Sequence, residues 1–133
     1  MGCSRYKIYD TQFPYFLTMT VVDWLPIFSN KDIAEIIISA LKFIQEKKNV
    51  IIYAYVLMEN HLYCIVQNDE IGHAIQAFKS YTARSIIDYY KARENSLMLR
   101  RLKQNKLAHK GNSDYQVWQE GSHTEEITTD EMM

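Results

Sequence analysis

The chain has 133 residues and a formal net charge of −1, with 47% hydrophobic and 23% charged residues. These values are typical of one globular domain with a single core, and they exclude wholesale disorder. No apolar run approaches the roughly 20 residues that a membrane span needs, and the N-terminus lacks the layout of a signal peptide. Cys3 and Cys64 do not suggest a disulfide framework, so we predict a cytoplasmic protein without membrane association.

The charges are distributed unevenly along the chain. Nine Lys or Arg lie between Lys79 and Lys110 against two acidic residues, whereas six acidic residues and no Lys or Arg lie from Asp114 onward. A basic segment beside an acidic tail can hide a phosphate-binding surface behind a neutral average.

The first half of the chain predicts an arm, a strand and a helix. Residues 1–14 lack any period and are interpreted as an N-terminal arm. The aromatic and β-branched run from Tyr15 to Val22 predicts a strand. After a cap at Ser29 or Asn30, apolar residues at helical spacing from Ile33 to Ile44 predict an amphipathic helix.

A hairpin from about Val50 to Gln67 follows, with its turn at residues 58–60. The near-continuous apolar content of Val50 to Leu57 predicts a strand covered on both faces, and hence central in the sheet. Apolar positions from Ile71 to Ala92 predict a second helix. Further along, we predict a basic extension to residue 107, a turn at 110–113, a short strand at 115–118, a loop at 121–126 and a helix start at 128–131.

The order strand, helix, strand, strand, helix, strand predicts an α+β fold. It is the split β-α-β, ferredoxin-like plan, in which helices pack on one face of an antiparallel sheet. The other face of such a sheet is left open to a ligand, a partner or nucleic acid. We therefore expect residues 1–133 to form a single domain.

His61 opens the second strand of the hairpin and is the first candidate site residue. Because side chains alternate along a strand, His61 and Tyr63 share one face, roughly 6–7 Å apart at the backbone. An imidazole in that position can bind a metal. The alternative is a histidine that only makes hydrogen bonds at a strand end. A neutral phenol at position 63 is a poor second ligand.

The second helix and the segment after it carry the other candidates. Lys79 and Arg84 are candidates for gripping phosphates, and Tyr81 for stacking on a base or acting as a nucleophile. Arg100, Arg101 and Lys103 are candidates for attracting nucleic acid by charge. The alternative for each of these residues is an ordinary solvated helix surface.

Four blocks of the chain resemble one family. The hairpin Tyr55-Val56-Leu57-Met58-Glu59-Asn60-His61-Leu62-Tyr63 resembles the strand-turn-strand signature of the single-tyrosine HUH transposases, specifically the REP-associated tyrosine transposase group. That signature reads Tyr-Val-(apolar)-Met-x-Asn-His-(apolar)-His. The other blocks, in the family's order, are Phe16-Leu17-Thr18 with residues 21–28, then residues 78–84, then residues 115–120 with His123 and Glu125.

The resemblance implies the ferredoxin-like fold, binding of single-stranded or hairpin DNA, and strand cleavage with Mg²⁺ or Mn²⁺. It implies that His61 is a metal ligand and that Tyr63 stands where the second histidine of the motif lies. The nucleophilic tyrosine of the family follows the Trp-Gln segment, and here no tyrosine follows Tyr115. Tyr81 does not match that place, and the sequence resembles a copy truncated at its C-terminus.

Together these features predict a transposase-like DNA-binding domain related to enzymes of DNA transposition and recombination, with strand cleavage impaired. The alternatives are an enzyme that still nicks DNA through His61 and an unusual tyrosine, and a non-catalytic ferredoxin-like module that forms a homodimer through a sheet edge.

Overall fold

A computed structural model describes residues 14–104, 115–120 and 123–126 of the chain. Its elements in chain order are β1 (Tyr15–Thr20), α1 (Lys31–Lys47), β2 (Ile51–Leu57), β3 (His61–Gln67), α2 (Ile71–Ala92), α3 (Ser96–Gln104) and β4 (His123–Glu126). The predicted arm, the turn at 110–113 and the helix start at 128–131 lie outside the described residues, apart from Pro14.

The strands form one antiparallel sheet in the order β2-β3-β1-β4. This is the order of the ferredoxin-like plan, so the predicted α+β class is confirmed. One face of β1 and β3 is buried against the helices and the other is only partly covered, which follows from the alternation of side chains along a strand. The buried face consists of Tyr15, Leu17, Met19, Leu62, Cys64 and Val66.

The two long helices agree with the predicted ones. Asn30 caps α1, since its side-chain oxygen accepts hydrogen bonds from the backbone N–H groups of Asp32 and Ile33 at 2.8 and 3.3 Å. The stripe of α1 from Ile33 to Ile44 is buried, and α2 buries a matching stripe that includes Phe78. The basic extension forms a separate helix, α3, whose Leu102 is fully buried.

Three strand predictions need correction. The segment Val50–Leu57 was expected in the middle of the sheet, but β2 lies at its edge and most of its residues are exposed. The expected strand at 115–118 forms only an isolated bridge between Val21 and Trp118. Residues 123–126, expected in a loop, form β4 beside β1.

The weakly acidic side chains of Cys64 and Tyr90 are buried in this core. Burial raises the pKa of the Cys64 thiol from 9.0 to about 12. Burial, followed by the nearby Tyr89, raises the pKa of the Tyr90 phenol from 10.0 to about 12. Burial therefore extends the pH range in which both groups are neutral to well above pH 9. No helix in the described part of the chain is long and apolar enough to cross a membrane.

Candidate nucleic-acid interface

A row of aromatic rings runs over the open face of the sheet, and we call it the aromatic row: Trp24, His61, Tyr63 and Phe16. His61 and Tyr63 alternate with the buried residues of β3, so they point away from the helices. Phe16 lies diagonally from Tyr63, because Tyr63 pairs with Thr18 on the neighbouring strand. The three rings on strands are half-buried, while Trp24 is 59% exposed.

The rings of the aromatic row follow one another at short distances. The centroids of Trp24 and His61 are 4.6 Å apart with an interplanar angle of 74°, an edge-to-face contact. His61 and Tyr63 are nearly parallel, at 5.7 Å and 6°. Phe16 and Tyr63 are also nearly parallel, at 6.1 Å and 11°. These spacings lie in the range of favourable aromatic pairs, so the rings support one another.

Trp24 stands on an unusual turn between β1 and α1. The single 3-10 turn at Val22–Trp24 places Asp23 at φ 55° and Trp24 at φ 54°. This left-handed region is uncommon for residues other than glycine and costs on the order of 1–3 kcal/mol for each residue. Such a conformation persists only where surrounding contacts impose it.

Several contacts hold this turn. The Nδ2 group of Asn60 donates a hydrogen bond to the backbone oxygen of Trp24 at 3.1 Å. The guanidinium of Arg101 lies 2.8 Å from a carboxylate oxygen of Asp23. The backbone N–H groups of Trp24 and Val22 donate to the oxygens of Val21 and Val117, at 3.0 and 2.8 Å. The turn is therefore connected to β3, to α3 and to residues 115–120.

Asn60 also determines the tautomer of His61. Since the Asn60 Nδ2 group donates to a backbone carbonyl, the other polar atom of this amide is the acceptor Oδ1. The Nδ1 atom of His61 lies 2.5 Å from that Oδ1 and must therefore carry a hydrogen. The neutral imidazole then keeps its free lone pair on Nε2. Nε2 is the atom of His61 that can accept a proton or bind a metal.

The donor set around His61 does not fit the metal site that the family signature implies. The next residue of β3 on the same face is Tyr63, whose phenol ring stacks on the His61 ring. A protonated phenol is a weak ligand for Mg²⁺ or Mn²⁺, which prefer carboxylates, carbonyls and water. Across the described residues, no group of three or more His, Cys, Asp and Glu is arranged to hold a metal.

The other candidate residues divide into two groups. Arg101 is brought to the site through Asp23, and Arg100 and Lys103 lie on the same helix, α3. Lys79, Tyr81 and Arg84 lie on α2, which packs on the opposite face of the sheet. The structure does not bring Tyr81 and His61 together.

Tyr81 is 57% exposed on α2, and its ring stacks on Phe43 of α1 at 6.3 Å and 15°. This contact belongs to the outer surface of the helical layer. The sequence interpretation overlooked Trp24 and Phe16 as members of the site. Apart from its place in the matched block of residues 21–28, the signal for Trp24 was a large aromatic residue beside Asp23 and ahead of Pro26, in a segment without strand or helix period.

Comparison with known proteins agrees with this fold. The family model described as "Transposase IS200 like" matches residues 15–126. Among solved structures, a REP-associated tyrosine transposase bound to a REP hairpin is similar with a TM-score of 0.66 and 12% identity, covering 95% of this chain and 62% of that one. A protein of Deinococcus radiodurans R1, assigned as a transposase, has a TM-score of 0.58 and 16% identity, covering 89% and 79%.

At these identities the two structures support the fold alone. This chain spans about three fifths of the length of the REP-associated enzyme, with 62% of that protein covered. No curated protein matches the chain. The family model covers most of the sequence, including both strands that carry the aromatic row. This chain belongs to the IS200-like transposase family.

Proposed function

We propose that this chain is a DNA-binding domain that contacts single-stranded or hairpin DNA through the open face of its sheet. The observation that supports this most is the position of His61, in the family's signature hairpin, beside a turn that the cationic helix α3 contacts through Arg101. Cations supply most of the free energy of non-specific DNA binding, since they release the counterions of the phosphates. Family membership and the similar protein bound to a DNA hairpin point the same way.

We further propose that strand cleavage is impaired. HUH transposases are generally metal-dependent, and the resemblance assigns the metal to His61 and to the position of Tyr63. A single imidazole with a stacked phenol gives weak affinity for Mg²⁺ or Mn²⁺. Tyr81 lies in the helical layer, away from the scissile phosphate that His61 would face. The chain therefore retains the shape of the binding surface without a good metal site.

Binding is tested with the full chain and a labelled DNA hairpin that carries a single-stranded tail. We expect binding at about 50 mM salt that weakens steeply toward about 200 mM. Charge reversal at Arg100 and Lys103 to Glu should weaken binding, because both residues are on the helix that contacts the Trp24 turn. The same change at Lys42 and Lys47 of α1 makes an equal change in net charge in the helical layer and should have a smaller effect.

The proposal fails if the wild-type chain does not bind at low salt, or if its affinity does not depend on salt. For cleavage, the hairpin is incubated with the chain and Mn²⁺ and then denatured. We expect no covalent protein–DNA adduct. An adduct that disappears in Tyr81→Phe would overturn the proposed impairment and identify Tyr81 as the nucleophile.

The exposed edge of the sheet favours a second candidate function, self-association. The strand β2 exposes Ile51, Tyr53, Tyr55 and Val56, each at 44–56% of its surface. A groove of about 400 Å³ lies between β2 and α1. An exposed apolar edge strand can pair with a second copy of itself and extend the sheet. The chain would then be a dimerisation module without a role in DNA binding.

Size-exclusion chromatography with light scattering, combined with the DNA-binding assay, separates the two functions. A dimer that dissociates in Val56→Lys, but binds no DNA, would favour the second function. Ser39→Lys, which adds the same charge at an exposed position of α1 that does not line the groove, provides a control for a non-specific effect of charge.

A further inference from the structure

We propose that Trp24 is a base-stacking residue, which holds an unpaired nucleobase of single-stranded DNA against its exposed ring face. This inference rests on the proposed DNA-binding function and specifies where an unpaired base lies. It assigns a binding role to a residue that is no member of the strand-turn-strand signature.

The ring of Trp24 is unusually exposed. Tryptophan is usually highly buried, as Trp118 of this chain is at 6% exposure, but Trp24 is 59% exposed. Its contact within the aromatic row is edge-to-face with His61, an arrangement that leaves ring surface available. A large exposed aromatic surface next to polar groups is typical of a binding site.

The backbone that presents the ring is strained. Two consecutive residues, Asp23 and Trp24, occupy the left-handed region, although glycine would avoid the strain. Asn60 binds the backbone oxygen of Trp24, and Arg101 binds the side-chain carboxylate of Asp23. These contacts stabilise a strained turn that directs the Trp24 ring outward. Strain that is maintained in this way indicates that the exposed position of the ring is functional.

The positive charge of α3 selects nucleic acid as the occupant. Arg101 of α3 binds Asp23, the neighbour of Trp24 on this turn, and Arg100 and Lys103 are exposed on the same helix. An aromatic ring beside a group of cations is the combination by which proteins bind single strands: the bases stack and the phosphates are neutralised. The neighbouring rings of His61, Tyr63 and Phe16 continue this aromatic surface, on which the next bases of the single strand can stack.

The test compares Trp24→Leu with Trp24→Phe, since leucine keeps the apolar volume and phenylalanine keeps an aromatic face. Two DNA hairpins are used, one with an unpaired oligothymidine tail and one that is blunt. We expect Trp24→Leu to weaken binding of the tailed hairpin by about 5- to 150-fold, the range for loss of one stacked base. Trp24→Phe should lose less, and the salt dependence should not change because no charge is altered.

Intrinsic fluorescence gives an independent readout in the unmodified chain. Stacking on a base should quench Trp24, while the buried Trp118 should not respond. Thermal midpoints of the variants verify that they fold. If Trp24→Leu does not fold, the quenching of Trp24 fluorescence in the wild type and the affinity of Trp24→Phe for the tailed hairpin still test base stacking.

The outcomes separate the inference from the function on which it rests. Equal affinity of the wild type and Trp24→Leu for the tailed hairpin would overturn base stacking while DNA binding stands. Equal losses for tailed and blunt hairpins in both variants would assign Trp24 a purely structural role and also overturn it. If the wild type binds neither hairpin, both proposals are overturned. The exposed ring of Trp24 would then have a protein partner as its alternative ligand.

Discussion

One buried hydrogen bond connects the helical layer to the segment that supports the Trp24 turn. The indole Nε1–H of Trp118 donates to the hydroxyl of Thr82 at 2.9 Å, and both residues are buried, at 6% and 0% exposure. The Thr82 hydroxyl in turn donates to the backbone oxygen of Phe78 at 2.8 Å. Trp118 also bridges Val21 at the end of β1.

Thr82→Val removes the acceptor and preserves the shape of the side chain. The indole N–H is then buried without a partner, which costs about 1–3 kcal/mol, while the added methyl group regains up to about 0.8 kcal/mol. We expect a net loss of about 1–2 kcal/mol in the free energy of unfolding. For a domain of this size, each kcal/mol corresponds to roughly 3–5 °C in the thermal midpoint.

Denaturant unfolding of four proteins isolates the interaction: the wild type, Thr82→Val, Trp118→Phe and the double variant. Trp118→Phe removes the donor, so the loss in the double variant should be smaller than the sum of the single losses by about 1 kcal/mol. Thr82→Ser, which keeps the hydroxyl, should retain the bond. If Thr82→Val is as stable as the wild type, or if the two changes are additive, this reasoning is refuted.

Three further predictions concern the site and the core. Asn60→Ala should lower the free energy of unfolding by about 0.5–1.5 kcal/mol, because the Trp24 oxygen and the His61 N–H lose a partner; denaturant unfolding with no loss would contradict it. Tyr63→His should create a second imidazole beside His61, so that Mn²⁺ at about 100 times its Kd stabilises the variant by about 2.7 kcal/mol in thermal unfolding. Tyr63→Phe provides the control, and a variant that does not respond to Mn²⁺ would oppose our account of the donor set. Because the pKa of Cys64 is raised, the folded state keeps the thiol proton above pH 9.0, where the unfolded chain loses it. The free energy of unfolding should therefore fall by about 1.4 kcal/mol per pH unit between pH 9.0 and about 12. Below pH 9.0 the thiol does not change the free energy of unfolding with pH. Cys64→Ala should reduce the slope of the free energy of unfolding above pH 9.0, and an unchanged slope would contradict this prediction.

Much of the architecture could be predicted because it depends on local patterns. The stripe of α1 repeats at helical spacing, and the cap at Asn30 lies next to it in sequence, so both follow from neighbouring residues. The hairpin and its turn at residues 58–60 are local in the same sense. From the order of these elements the ferredoxin-like sheet follows, since few topologies join them without crossing connections.

The strand predictions that were wrong concern features that depend on distant parts of the chain. The apolar run of β2 suggested burial on both faces, but burial depends on which strands lie alongside, and β3 inserts between β2 and β1. The last strand among the described residues is His123–Glu126 rather than 115–118, because the earlier segment makes only a bridge to Val21 before the chain reaches β1.

By itself, the sequence determined the two long helices, the hairpin, the fold plan and the family signature around His61, because these are encoded in short-range periodicity and in consecutive residues. Only the tertiary structure decided the composition of the site. Trp24 lies 37 positions before His61, and Arg101 lies 78 positions after Asp23, so no local pattern joins them. The fold brings them together by closing the turn after β1 against β3 and α3, and it places Tyr81 on the opposite face of the sheet.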